Sequence, residues 1–374
     1  MRVFVVGGGI MGLSAARSLV RDGHEVSLFE QASLPNPLGA SADLHRLIRY
    51  PYGSARGYAR MVRDAYGAWA RLWADLGVTL QQETGTLVLG AEGDRWASES
   101  RAVLEAQGIV HEPLEARELA ERYPMLDPQG VAQAFYCPSG GVLRAREIVA
   151  ALAAHLRERG VAVQTEARVV ALDRDRAQLR FANGETLAAD RVLVTAGPWT
   201  ERLLPELSGQ ARATRQVLVY LEPPADLAAA WQRAPMLLDI GARAGFYLVP
   251  PRVTEDGARL GLKIGDHSFG PGGDPDAERE PGAAEIASIL EQARRRLRRL
   301  DAYRIASAKT CYYDVAPGER FRFCRIGERA YAFCGSSGHG FKFGALVGEK
   351  IADVLSGRAG LEETAAWLAG EVEV

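Results

Sequence analysis

Apolar and polar positions follow each other along this chain in two distinct styles. Residues 2–6 (Arg-Val-Phe-Val-Val) form a short β-branched and aromatic run with no polar face, as a strand buried on both sides requires. Gly7-Gly8-Gly9 follow, then a helical pattern through Leu19, and Glu25-Val-Ser-Leu-Phe-Glu30 reads as a second strand. The pattern predicts a β-α-β unit. The same style returns as a helix over about 145–159, a strand at 161–163, and paired strands at about 167–188 with Asn183-Gly184 as the hairpin turn. The apolar strand 191–195 then runs into Ala196-Gly197-Pro198-Trp199. It returns a last time in the strand 330–334, a glycine-rich loop and a helix from about 345 to 355.

Residues 81–139 and 213–300 look different. Their alternation, as in Gln216-Val-Leu-Val-Tyr-Leu and Gly245-Phe-Tyr-Leu-Val, predicts antiparallel strands with one face toward solvent or a ligand. The expected fold is mixed α/β (α+β): a discontinuous Rossmann-like domain over 1–80, 140–212 and 301–374, with an inserted antiparallel β-sheet substrate domain over 81–139 and 213–300. The arginine-rich stretch 285–300 reads as a solvated helix with an apolar seam. There is no internal repeat and no low-complexity segment.

Composition narrows the partners. With 374 residues, 47% hydrophobic and 25% charged, the chain can bury a large core, so a small stapled scaffold is excluded. A formal charge of −2 lacks the long-range attraction that nucleic acid or an anionic membrane surface would need, so a small molecule is the expected partner. Cys137, Cys311, Cys324 and Cys334 show no C-x-x-C spacing, which fits a reducing compartment, and no metal site is expected. Met1-Arg2 and the apolar run to Leu13 have the look of a signal peptide, but the glycines inside that run are spaced for another purpose. No window reaches the roughly 18 apolar residues of a membrane span. A cytoplasmic protein, a monomer or weak homo-oligomer, is expected.

That purpose is the motif Gly7-x-Gly9-x-x-Gly12, placed directly after a strand and opening a helix, with Glu30 ending the next strand. The first glycine permits a tight turn, the second lets the backbone approach a pyrophosphate, and the third allows close helix-to-strand packing. The helix start supplies free N–H groups to phosphates. A carboxylate at Glu30 accepts from a ribose diol and repels a 2′-phosphate, which points to FAD or NAD rather than NADP.

Three further segments separate those two cofactors. They are Gly39-Ala-Ser-Ala-Asp-Leu-His-Arg46-Leu-Ile-Arg49-Tyr-Pro-Tyr52-Gly53; Gly261-Leu-Lys263-Ile-Gly-Asp-His267-Ser-Phe-Gly270; and Thr310-Cys311-Tyr-Tyr313-Asp with Gly335-Ser-Ser-Gly338-His339-Gly340-Phe341-Lys342-Phe343. Together they resemble the monomeric sarcosine oxidase group of D-amino-acid-oxidase-like flavoproteins, nearly end to end. The resemblance implies FAD as cofactor and oxidation of a secondary or N-methylated amino acid by dioxygen.

A reading of the residues stands beside it. The chain has only four lysines, at 263, 309, 342 and 350, and uses arginine almost everywhere else. Surface charge is therefore not what Lys263 and Lys342 supply; a lysine is a compact point charge on a flexible stem, able to sit beside a reacting atom. The resemblance implies that Lys263 lies against the flavin ring and promotes its reaction with dioxygen, with Arg46 on the same side. A cation about 4 Å from nascent superoxide would stabilise it by roughly 4 kcal/mol at an effective dielectric near 20. It implies that Arg49 and Lys342 clamp the substrate carboxylate, a planar fork and a point charge on one anion. Tyr247, His267 and Tyr313 would line the substrate side. Gly197, Gly338, Gly340, Phe341 and Lys342 would meet the cofactor, and the helix after Gly340 would aim its positive end at the flavin's pyrimidine side. Cys311 falls where this group attaches FAD covalently, a step that needs a thiolate and is helped by a basic neighbour.

Two departures bear on the substrate. Ala40-Ser-Ala-Asp-Leu-His45 replaces a histidine-rich segment, and Arg320 stands where an acidic residue is usual before Phe321. Both leave the flavin and the carboxylate clamp untouched. The expected activity is an FAD-dependent oxidase of a secondary or N-substituted amino or imino acid, giving an imine and hydrogen peroxide. Rival readings are a flavin dehydrogenase that hands electrons to an acceptor other than oxygen, a non-catalytic FAD-binding protein, and an NAD-linked dehydrogenase; the last leaves the lysine motifs unexplained.

Overall fold

The computed structural model describes residues 1–371 except 242–244, 254–256, 258 and 278. The strand with no polar face, Arg2–Val6, lies inside a six-stranded sheet because both its faces are covered. The order is Arg322–Arg325, Ala330–Cys334, Arg191–Val194, Arg2–Val6, Glu25–Phe29, Ala162–Gln164. All pairs are parallel except the first. Val3 and Val5 join a core with Leu13 and Leu19 of the helix Ile10–Arg21 and Val347 and Ile351 of the helix Gly344–Leu355. Phe4 and Val6 face the other way, onto Leu179 and Phe181 of a three-stranded sheet. Asn183 and Gly184 form the turn between two of its strands, Gln178–Phe181 and Thr186–Ala188, as the sequence predicts.

The second style of patterning becomes an eight-stranded sheet. Its order is Arg304–Val315, Arg212–Glu222, Leu262–Asp266, Phe246–Val249, Met236–Asp239, Thr86–Gly90, Gln133–Cys137, Glu112–Pro113. Neighbours are antiparallel apart from Met236–Asp239 with Thr86–Gly90. Alternation gives the sheet two faces. Val219, Leu248, Leu262 and Ile264 pack with Ile289 and Ala293 of the helix Ala283–Arg294. Tyr220, Lys263, Tyr247 and Tyr313 occupy the alternate positions and look toward the glycine-rich half.

Two expectations shift. Arg304–Val315, placed by sequence with the dinucleotide part, pairs along its length with Arg212–Glu222, from Arg212 with Val315 to Glu222 with Arg304. Its pattern suits either sheet, and only a partner some hundred residues earlier decides between them. The arginine-rich helix ends at Arg294, because Arg296 turns inward to donate from Nε to Asp239 at 2.8 Å and Leu297 bridges to Leu126. Among the described residues no helix is long and apolar enough to cross a membrane.

Candidate active site

A long groove runs over the carboxyl ends of the parallel strands, where open α/β sheets bind their ligands. Gly7 begins it with a φ of +109°, and a Cβ there would lie 2.4 Å from the Thr195 carbonyl oxygen. Gly12 does not line the groove; a Cβ on it would lie 2.0 Å from the Gly7 carbonyl oxygen, so its bareness lets the helix sit on the strand. A Cβ at Gly9 would meet only Ser41 Oγ, at 3.3 Å, and one at Gly197 would meet nothing within 4 Å. Both positions therefore hold backbone open to the groove.

Glu30 closes one end. It is 6% exposed, and its carboxylate accepts from Gly8 N at 2.8 Å, Ala32 N at 3.2 Å and Asn36 Nδ2 at 2.9 Å. Burial raises its pKa while these donors hold it down. Three donors leave room on two oxygens for a ribose hydroxyl. At the far end Gly338, Gly340 and Phe341 line the groove. Gly338 has φ +72°, and a Cβ would strike the Tyr313 ring at 2.7 Å. The glycine loop, the terminal acid and the bare backbone fit an extended dinucleotide.

A smaller cavity adjoins the groove and shares Arg46, Tyr313, Gly338 and Phe341 with it. It brings together Lys263, Arg49, His267, Tyr247 and Lys342, residues from four separated segments. Lys342, expected to serve both substrate and cofactor, lines only this smaller cavity. Burial keeps the hydroxyls of Tyr247 and Tyr313 protonated by pushing their pKa values up. His267 lines the cavity with its side chain exposed; the protein packed around it, then Arg49 and Lys342, lower its pKa.

Arg49 and Lys342 are 7% and 5% exposed. Arg49 donates to the Pro51 carbonyl and stacks over Tyr52, its Cζ 4.4 Å from the ring centre. Lys342 Nζ donates to Tyr52 Oη and to the His339 carbonyl, both at 3.0 Å. Among the described residues no carboxylate lies within ion-pair distance of either. Burial, and after it Arg49, pushes the Lys342 amine well below its ordinary pKa. Two buried basic side chains with only neutral hydrogen-bond partners make a candidate anion site.

Lys263 is a contrast. It is 1% exposed, and its Nζ meets Asp43 Oδ2 at 2.5 Å and the His45 carbonyl at 3.3 Å. Asp43 also pairs with Arg46 and Lys309 and accepts from Tyr220 Oη. His45 is fully buried and neutral; burial, then Lys263, hold its pKa at about 3.

Cys311 lines neither cavity. It shares a strand face with Lys309 and Tyr313, and its Sγ lies 3.8 Å from the Tyr312 carbonyl. Arg46 favours the thiolate as a basic neighbour should, but burial outweighs it and the pKa rises. The helix Gly344–Leu355 starts after a 3-10 turn, Phe341–Phe343; the turn and loop, not the helix's first residues, reach the groove. Arg320, one of the departures, pairs with exposed Glu371, away from the cavity.

Sequence reasoning gave no role to Asp43, Tyr52 or Tyr220. Both Tyr52 and Asp43 stood in the quoted segment Gly39–Gly53, Asp43 also within a departure from the family pattern. Among the described residues no group of three or more His, Cys, Asp or Glu side chains could hold a metal ion.

Comparison with known proteins agrees with this geometry. The family model described as FAD dependent oxidoreductase matches residues 2–354. The monomeric sarcosine oxidase of Bacillus sp. (strain NS-129) is 28% identical over 375 residues, covering 95% of this chain and 92% of that protein. The N-methyl-L-tryptophan oxidase of Yersinia pestis (strain Pestoides F) is 25% identical over 360 residues, covering 94% and 93%. The fold matches that of NikD, an unusual amino acid oxidase essential for nikkomycin biosynthesis, in its open form. The TM-score is 0.80 at 21% identity, over 96% of this chain and 94% of that one.

Proposed function

Because the chain belongs to the FAD dependent oxidoreductase family, we propose that it is an FAD-dependent oxidase of a secondary or N-substituted amino acid. The observation that carries this reading is the buried pair Arg49 and Lys342, two cations without a carboxylate of their own in a cavity that opens on the dinucleotide groove. A substrate carboxylate supplies the missing charge. The two relatives named above point to the same class, since each is named an oxidase of an N-methyl amino acid.

FAD would be held by Glu30 at the ribose, by the Gly7–Gly9 turn and Gly197 along its length, and by Gly338, Gly340 and Phe341 at the junction of the two cavities. When bound it would supply the redox chemistry, a two-electron oxidation of the substrate's C–H bond with dioxygen as the final acceptor, so that the products would be hydrogen peroxide and an imine that water hydrolyses. Arg49 and Lys342 fix the carboxylate and so orient the amine and its C–H bond. The same cations, with Arg46, disfavour an ammonium in the cavity; the amine is thus held in the neutral form whose lone pair drives C–H cleavage. Tyr247, Tyr313 and His267 form the walls around it. Lys263, on the eight-stranded sheet, supplies positive charge for reduction of dioxygen. No general base is required.

Cys311 is the proposed covalent tether. Acid precipitation should then leave the yellow colour in the pellet, and colour released to the supernatant overturns the tether alone. The substrate reading is tested by mixing the purified yellow protein anaerobically with N-methyl and cyclic amino acids. Bleaching by at least one of them is expected; no bleaching by any leaves a non-catalytic flavin protein. The Lys263–Asp43 ion pair favours a second reading, a dehydrogenase with another electron acceptor. Admitting air to the bleached protein decides: rapid return of colour is expected, and persistent bleaching supports the dehydrogenase.

A further inference from the structure

Asp43 is 3% exposed and holds four side-chain partners at once, besides the Leu44 N–H. Lys263 and Arg46 share its Oδ2; Lys309 and the Tyr220 hydroxyl share its Oδ1. The three cations come from three separate segments, the 40–48 stretch and the strands Leu262–Asp266 and Arg304–Val315. We propose that Asp43 is a positioning residue that fixes the Lys263 side chain in the cavity wall and keeps it an ammonium at neutral pH. The use of that charge toward dioxygen rests on the oxidase reading above; the positioning role does not.

The neighbours of Lys263 make the case. Arg46 and Lys309 carry the same charge and push its proton off, as burial does. His45 is neutral, held at a pKa of about 3. Tyr220 and Tyr247 are kept protonated by burial, and the Tyr247 ring centre lies 5.7 Å from Nζ. Cys311 is likewise held as a thiol by burial. Among the described residues Asp43 is the one anion facing Lys263 from these elements, and the balance leaves the lysine at about 8. Without that carboxylate, burial and the charges of Arg46 and Lys309 favour the free amine, opposed only by the His45 carbonyl and the Tyr247 ring. The ion pair does not cancel the local field, because three cations against one carboxylate leave an excess of positive charge.

The scarcity of lysine makes this directly measurable. Protein labelled with 13C at lysine Cε and loaded with FAD carries four side-chain signals, assignable by substituting each lysine in turn. The Lys263 signal should titrate near pH 8. Asp43→Asn should lower that midpoint by at least about one pH unit, a tenfold change in proton affinity, while Lys350 stays put. Lys309→Met should move Lys263 in the opposite direction, upward; Lys309 is 42% exposed, so this variant keeps the fold even where Asp43→Asn does not. A Lys263 midpoint that ignores both substitutions, or moves down in Lys309→Met, overturns the proposal.

A second arm separates the oxidase reading. The rate of flavin reoxidation by dioxygen should follow the Lys263 titration in each variant. If the midpoints shift as expected while reoxidation is flat across them, the positioning role stands and the oxygen role of Lys263 falls.

Discussion

Two of the four lysines are buried in the wall of one cavity, and their surroundings differ most in the partner of the amine. Lys263 has a carboxylate; Lys342 has only a tyrosine hydroxyl and a carbonyl. Each lies near a buried neutral histidine, His45 for the first and His339 for the second. Each is also close to an arginine, Arg46 or Arg49. A buried cation already in contact with a carboxylate has less to gain from a second carboxylate in direct contact than an unpaired one, although its excess charge still acts through space. On the proposed reading the asymmetry would direct a carboxylate-bearing ligand to Arg49 and Lys342 and leave Lys263 free of it.

The comparison can be broken most severely at Lys263. Lys263→Met should slow reoxidation by up to about three orders of magnitude, from the ~4 kcal/mol that a nearby charge gives to superoxide. Reduction by substrate should change much less; equal slowing of both half-reactions in stopped flow would remove the division of labour.

On the other side, Arg49→Met should weaken binding of a carboxylate inhibitor such as acetate by about 2–4 kcal/mol. The same substitution should leave reoxidation nearly unchanged. Lys342 adds a pH signature. Its pKa is depressed in the free protein, and only the ammonium attracts the carboxylate, so affinity should fall as pH rises through that depressed value. The fall is at most about tenfold per unit. An acetate affinity that stays flat over the whole pH range in which the protein is folded would argue that Lys342 is not in the clamp.

The smallest effect concerns stability. His45 is held neutral with a pKa of about 3, below its ordinary 6.5. The contribution is full above about pH 6.5 and is lost as pH falls, because the unfolded chain takes up a proton that the native protein refuses. By pH 5 the loss reaches about 2 kcal/mol. Urea unfolding of His45→Phe should lose correspondingly less stability between pH 7.5 and 5 than the unaltered protein; identical losses would put His45 in contact with water.

How far the sequence carries the fold depends on how local the deciding interaction is. The Gly7-x-Gly9-x-x-Gly12 turn and Glu30 are legible because strand, turn, helix and acid lie within one short segment. The faces of the inserted sheet are legible from alternation. The strand Arg304–Val315 is not, since its pattern suits either sheet. Arg49, Lys263 and Lys342 could be named from the motifs that carry the resemblance, and the structure brings them to one cavity. Asp43 could not: its role exists only when Lys263, 220 residues away, and Lys309 fold onto it. Tyr52, between Arg49 and Lys342, has the same long-range character.

The central claim is that the two unpaired cations select a substrate by its carboxylate. It is tested most directly by mixing the oxidised protein, without oxygen, with an N-substituted amino acid that bleaches it and then with the same amine lacking the carboxylate. Bleaching by the amino acid at least about a hundredfold faster, the equivalent of ~3 kcal/mol, is the predicted result. Equal rates for the two compounds would contradict the account.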